Sequence, residues 1–313
     1  MTSLDSRPAG CLHSCNNSIV ELLSASYGFE AYNTQNTRKS PFPNSAELDI
    51  TDKEATLRLV RRVDPAVIIN TAALTNVDYC EIHKDEAERV NVGGVRNLAE
   101  AARQNDSRLI QISTDSVFDG SYGHYTESDT PNPLNCYAKT KLEAERVVSD
   151  LSNFAIARPS VVHGWHSRLE AAGSNATKTM NFAMFVLDRL KNNEIVTAIR
   201  DQYNCPTFAD NLAEALLRLA NHHEIGIFHT AGRSCLSRYE FAVKLAEIFN
   251  YPTNMVQPVF SSDFKQLAVR PKNCCLRVEK AEHTLGIRFL TAEEGIREMK
   301  KQSLSQFGPS APS

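Results

Sequence analysis

No glycine occupies residues 11 to 27 of this 313-residue chain, although Gly10 and Gly28 flank that stretch. A dinucleotide is ordinarily held at the first strand-to-helix turn by closely spaced glycines, because a residue without Cβ lets the backbone approach the pyrophosphate. That device is missing here. The chain also lacks an apolar run near the roughly 20 residues that span a bilayer. Residues 1–18 are polar, with no apolar segment of a signal peptide. No charge of one sign dominates. With 34 Lys and Arg against 37 Asp and Glu, the net charge is -3, which excludes an electrostatic nucleic-acid or membrane-surface binder. The eight cysteines are scattered, with one adjacent pair, Cys274-Cys275. Cys11-Leu-His-Ser-Cys15 has the look of a metal motif, but a zinc site needs about four ligands and no second pair follows at a suitable spacing. Reduced thiols in a cytoplasmic protein are the expectation.

What is present is a core. Hydrophobic residues make up 42% of the chain, enough to exclude disorder. The first two thirds alternate short β-type runs with helical stretches. Residues 18–24 read as a helix, 66–70 as a strand entered through Pro65, 86–104 as a helix, and 108–113 as a strand. A helix over 135–151 and a strand over 154–159 follow. Such alternation predicts βαβ units and a doubly wound, mostly parallel α/β sheet of Rossmann type. After residue 163 the pattern loosens into a loop. Helices over 181–191, 208–222 and 239–249 and strands over 195–199 and 226–230 come next, and the Ser/Pro-rich tail from Gln302 is expected to fray. The domain division is 1–163 plus 203–230 for the dinucleotide-binding part, and 164–202 plus 231–313 for a smaller C-terminal substrate region.

In a parallel sheet, ligands bind at the carboxyl ends of the strands. Asn70-Thr-Ala-Ala73, Ser113-Thr-Asp115 and Arg158-Pro-Ser160 end three of them. Downstream lies Tyr137-Ala-Lys-Thr-Lys141, whose phenol and ammonium share one helix face at a four-residue spacing. An ammonium beside a phenol lowers the phenol pKa from about 10, which suits proton transfer near neutral pH. Thr114 could hydrogen-bond the same substrate oxygen. Taken singly, Tyr137 and Lys141 could equally be surface residues. His163, Trp165 and His166 could line a pocket or fill a loop.

The ordered set of segments resembles a known family. Asn70-Thr-Ala-Ala-Leu-Thr-Asn-Val-Asp78, Val90-Asn-Val-Gly-Gly94, Ser113-Thr-Asp-Ser-Val-Phe-Asp-Gly120, Pro133-Leu-Asn-Cys-Tyr-Ala-Lys-Thr-Lys141, Asp201-Gln-Tyr-Asn-Cys-Pro-Thr207 and Arg270-Pro-Lys-Asn273 run in the order of the extended short-chain dehydrogenase/reductases. Within them the chain looks most like the dTDP-4-dehydrorhamnose reductases. The resemblance implies hydride transfer from NADPH or NADH to the C4 ketone of a dTDP-linked deoxysugar. It implies Tyr137 as proton donor, Lys141 holding the nicotinamide ribose and lowering the Tyr137 pKa, and Thr114 orienting the oxygen. Asp49 and Ile50 would flank the adenine, Ala72 and Ala73 would line the cofactor groove, and Asn91 would bond backbone near the catalytic strand. Arg38 and Lys39 follow the second strand, where a 2′-phosphate would favour NADPH. On the substrate side it implies Asp115, Trp165, Asn181, Arg270 and Asn273, with Arg270 suited to phosphate. Ser116 stands where related dehydratases carry a second acid, which disfavours water elimination.

The resemblance breaks at the N-terminus. The family's glycines would fall near Cys11, Ser14 and Asn17, and Met1 to Pro8 offers no apolar first strand. The first strand is therefore expected to be degenerate or absent. Two explanations stand: a truncated or mis-started reading, or a natural chain that has lost cofactor binding. The second would leave a non-catalytic regulatory or interaction protein, like the methionine adenosyltransferase β subunit, which resembles these reductases. The expected partners are a nucleotide sugar and a second copy of the chain or, in the alternative, a partner enzyme.

Overall fold

The computed structural model describes residues 9–12, 27, 30–36, 44–165, 181–264 and 266–307. A seven-stranded sheet forms its centre. Its strands are β1 (Ala9–Leu12), β2 (Ala31–Gln35), β3 (Ser45–Glu47), β4 (Val67–Asn70), β5 (Arg108–Ile112), β6 (Phe154–Arg158) and β7 (Gly226–His229). Their order is β7-β6-β5-β4-β1-β2-β3, and every neighbouring pair is parallel. β4 and β6 are buried throughout and β5 nearly so, as strands covered on both faces must be, which is why they read as continuous apolar runs.

β1 corrects the expectation that the first strand is degenerate or absent. Ala9 pairs with Ala31 and Val67, and Leu12 with Thr34 and Asn70, so the strand fills the centre of the sheet. Backbone N–H and C=O groups of β2 and β4 need a partner, and four residues of backbone supply one. The strand begins just after Pro8, past the polar residues 1–8. Cys11 lies inside it, opposite Asn33 and Ile69, and not in the turn. Ser14, Asn17, the helix expected over 18–24, Arg38 and Lys39 lie outside the described residues.

Helices cover both faces. Lys53–Val63 is capped by Asp52, whose side chain accepts from Ala55 N, and it ends where Asp64 turns left-handed. Gly94–Asn105 packs against it, and a Cβ on Gly94 would meet Ile50, which precedes Lys53–Val63, at 2.5 Å. The helix read over 86–104 is in fact Lys84–Glu88, a π-helical turn over Arg89–Gly93, and Gly94–Asn105. The catalytic-motif helix is Cys136–Ser149, capped by Asn135. Ala209–Ala220 covers the other face, with Leu212, Leu216 and Leu219 buried.

A second core holds Met184, Leu187, Val196, Phe241, Leu245, Ile296 and Met299. It joins helices Phe182–Lys191, Arg238–Ile248 and Ala292–Phe307. The last of these corrects the fraying expected from Gln302, since the helix runs to Phe307. Gln302 Nε2 donates to Asp210 Oδ2 at 2.7 Å, and Ser303 is buried. No helix of the described residues is long and apolar enough to cross a membrane.

Candidate active site

The three polar strand ends do converge. Ser160, just past β6, donates its hydroxyl to Asp115 Oδ2 at 2.5 Å, and Asn204 Nδ2 reaches the same oxygen at 2.7 Å. Thr114 and Ser116 donate to Asp115 Oδ1 at 3.1 and 3.2 Å. Asp115 is buried, which raises its pKa, and these four donors work against that rise. Both carboxylate oxygens are therefore occupied, so Asp115 organises the site and does not present a free acceptor to substrate.

Tyr137 lies in the first turn of helix Cys136–Ser149, fixed by two caps. Asn135 Oδ1 accepts from Ala138 N at 2.9 Å, and Glu81 Oε2 accepts from Cys136 N at 2.9 Å. Its half-buried phenol lies near the Thr114 hydroxyl, which acts to lower its pKa. Thr114 itself donates to Asp115. Burial raises the Tyr137 pKa; Thr114 offsets this in part, and the nearby Asp115 charge adds to it. This corrects the expectation that Lys141 holds the phenol low. Lys141 is buried, and its Nζ donates to Ile112 O at 2.6 Å. Desolvation brings the Lys141 pKa down to about 8, opposed by the charge of Glu145. Glu145 is itself clamped by Arg158, at 2.6 and 2.8 Å, and by the Ser113 hydroxyl. Tyr137, Lys141 and Glu145 thus follow one another at successive four-residue steps along one helix.

The groove residues divide. Ala72 and Ala73 are half-buried at the end of β4, and Ala72 N is fixed by Asn70 Oδ1 at 3.0 Å. Asp49 accepts from Thr51 N at 2.9 Å, while Ile50 is buried against Gly94. Asn91 is buried and spent on structure. It bonds Leu74 N at 2.7 Å, Leu74 O at 3.1 Å and Thr140 Oγ1 at 3.0 Å, tying the loop after β4 to the Tyr137 helix. It bonds backbone, as the resemblance implies, and so positions the cofactor groove without itself lining it.

Two expected substrate residues are also committed elsewhere. Asn181 caps helix Phe182–Lys191 through Met184 N at 3.1 Å and donates to Gly164 O at 2.9 Å. Asn273 Oδ1 accepts from Cys275 N at 3.1 Å, and its side chain packs where Gly123 leaves no room for a Cβ. Arg270 pairs with Asp78 at 3.0 Å and donates to Ala268 O. Trp165 packs half-buried against the second core. His163 is not a pocket residue. It is buried between Phe208 and Phe241, with ring centroids 6.0 and 5.0 Å away, and burial drives its pKa to about 4. His166 lies outside the described residues.

Three features escaped the sequence. Arg238 is half-buried, its guanidinium stacked over Phe182 at 4.8 Å. Burial lowers its pKa, Asp115 opposes that, and Arg270 adds to it, so its charge is felt at both. The grip of Asn204 and Ser160 on Asp115 is the second: Ser160 stands in a strand-end cluster, but its partner does not show in the sequence. Cys235 and Cys275 form a disulfide with Cα atoms 5.5 Å apart, correcting the expectation of reduced thiols throughout. The Leu236–Asn204 pairing and the Tyr203–Asn273 bridge bring the two cysteines together from 40 residues apart. Only the serine N-cap and Glu240 of the capping box announce that turn in the sequence.

A parallel sheet with a Tyr-x-x-x-Lys helix beside it, and a threonine just past β5 near that tyrosine, defines the class: an extended short-chain dehydrogenase/reductase fold. Comparison with known proteins narrows it. The chain belongs to the family described as RmlD substrate binding domain, which matches residues 24–305. It is 36% identical over 258 residues to a dTDP-4-dehydrorhamnose reductase of Aggregatibacter actinomycetemcomitans, covering 78% of this chain and 83% of that one. It is 34% identical over 263 residues to methionine adenosyltransferase 2 subunit beta of Mus musculus, covering 82% and 76%. Among solved structures, a dTDP-4-dehydrorhamnose reductase of Bacillus anthracis in complex with NADP superposes with a TM-score of 0.80, at 26% identity, covering 95% of this chain and 99% of that one.

Proposed function

We propose that this protein reduces the C4 ketone of a nucleotide-linked deoxysugar, dTDP-4-dehydrorhamnose above others, using NADPH or NADH. The observation that carries the reading is the 2.6 Å bond from Lys141 Nζ to Ile112 O, which fixes the helix bearing Tyr137 against the carboxyl end of β5, where Thr114 follows. A phenol held above its ordinary pKa is protonated at neutral pH. It is then a proton donor, as reduction of a ketone requires, since the oxygen gains negative charge when hydride arrives at carbon. Thr114 orients that oxygen, and buried Lys141 supplies positive charge beneath it. The dinucleotide supplies the hydride. The small side chains of Ala72 and Ala73 fit its approach to the end of β4, and central β1 gives the sheet its usual crevice beside β4.

A second reading has one observation in its favour. The absence of glycine from residues 11–27 removes the usual pyrophosphate cradle. A relative that is a methionine adenosyltransferase subunit makes a partner-binding role concrete. One experiment separates the two. Purified protein is titrated with NADPH and NADH by nicotinamide fluorescence, then assayed with dTDP-4-dehydrorhamnose. Saturable binding with turnover supports the reductase. No binding at millimolar cofactor sinks it and leaves the partner-binding role.

A further inference from the structure

Arg238 feels the charges of Asp115 and of Arg270, and the two guanidinium groups are not equivalent. Arg270 is already answered by Asp78 at 3.0 Å and by Ala268 O. Arg238 has no carboxylate within ion-pair distance among the described residues. Its face is occupied by Phe182, at 4.8 Å from the ring centroid, which leaves its N–H edge for another partner. Asp115 cannot be that partner, since four neutral donors fill its oxygens.

The backbone fixes where Arg238 stands. Leu236 and Ser237 pair antiparallel with Asn204 and Tyr203. Asn204 grips Asp115, and Asp115 accepts from Thr114, which lies near Tyr137. Ser237 caps the helix that begins at Arg238, through a reciprocal bond with Glu240. On the other side, Cys235 is bonded to Cys275, so the strand before Arg238 is tied to the segment that carries Arg270. A half-buried cation held this firmly, with no carboxylate at ion-pair distance among the described residues, is costly unless an anion meets it.

We infer that Arg238, and not Arg270, is the principal cation for the diphosphate of a nucleoside-diphosphate substrate, with Phe182 holding its guanidinium flat. This inference rests on the nucleotide-sugar reading above. A planar guanidinium whose face is stacked presents two parallel N–H groups along its edge, the geometry that phosphate oxygens accept in pairs. Arg270, neutralised by Asp78, serves mainly to anchor residues 268–270 over the Tyr137 helix, where Asn135 Nδ2 also holds Val269 O at 2.9 Å.

The test is calorimetric binding of dTDP and of thymidine to the full chain, with Arg238→Met, Arg238→Lys and Arg270→Met beside the wild type. Thymidine lacks the phosphates, so the ratio of the two affinities isolates the charge from any loosening of the fold. Arg238→Met should lower that ratio at least tenfold and flatten its dependence on salt, with Arg238→Lys in between. Arg270→Met should lower it less. A ratio in Arg238→Met within twofold of wild type overturns the inference while leaving the nucleotide-sugar reading intact, and so does a larger fall in Arg270→Met. A wild-type chain that binds neither dTDP nor thymidine overturns both.

Discussion

Lys141 donates its ammonium to the carbonyl oxygen of Ile112 at 2.6 Å, one helical turn beyond Tyr137. Ile112 is the last residue of β5, and Thr114 follows two residues later. The ammonium is thus pinned to the strand that carries the threonine. Helix and strand are locked together at the point where a ketone would sit.

Removal of the phenol hydroxyl tests the proton donor. Tyr137→Phe should cut kcat by about 10²–10⁴, the usual worth of a positioned acid. Cofactor binding should hardly change, because the ring and the helix caps remain. An unaltered rate would remove Tyr137 from the chemistry.

The Lys141 charge sets an upper pH limit. Burial holds its pKa at about 8, below the usual lysine value, so the ammonium is lost as pH rises through about 8. We expect kcat/KM for the ketone to fall above that pH. The same depressed pKa means the unfolded chain binds more protons than the folded one between about pH 8 and 10.5, so stability from this group rises over that window. Activity and stability should therefore move in opposite directions, and parallel pH–rate and thermal-melt series would reveal it. A rate flat to pH 10 would contradict the Lys141 role.

Asp115→Asn should destabilise the fold by about 1–3 kcal/mol, the cost of a buried polar mismatch. The new amide must turn an NH₂ toward hydroxyl and amide donors that now point at a carboxylate. Urea unfolding of the variant measures it. Equal stability would show that the donors reorient freely.

His163 should make the protein acid-sensitive. Its pKa near 4 lies below the ordinary histidine value of 6.5, so the unfolded chain takes up a proton that the folded chain refuses. The stability this confers is complete above pH 6.5 and declines as pH falls toward 4, and His229, at about 3, extends the decline. His163→Phe, which suits the nest of Phe208 and Phe241, should flatten the melting temperature between pH 6.5 and 4. An unchanged slope would assign the acid sensitivity elsewhere.

The legible parts of this chain are those where one residue type repeats under one constraint. Val67-Ile-Ile-Asn70 and Phe154-Ala-Ile-Ala-Arg158 must be apolar because helices cover both faces, and so they announce themselves. Thr114, Tyr137 and Lys141 were legible because their spacing around strand end and helix is fixed. β1 was not, since its place depends on backbone groups of β2 and β4, which leave no mark on its side chains. Asn181 reads as a ligand contact because an amide that caps a helix looks the same in sequence as one that touches a substrate. Arg238 stayed hidden for a related reason: nothing local says that Phe182, 56 positions earlier, lies under it.

The Cys235–Cys275 bond closes a ring that contains helix Arg238–Ile248, the strand Val256–Val259 and Arg270. A protease that cuts once inside the ring, at the exposed Phe260 or Leu267 for example, leaves a single covalent molecule until the sulfurs are reduced. On a gel run without reductant, such a nicked protein would keep the mass of the intact chain, and only thiol treatment would split it into two bands.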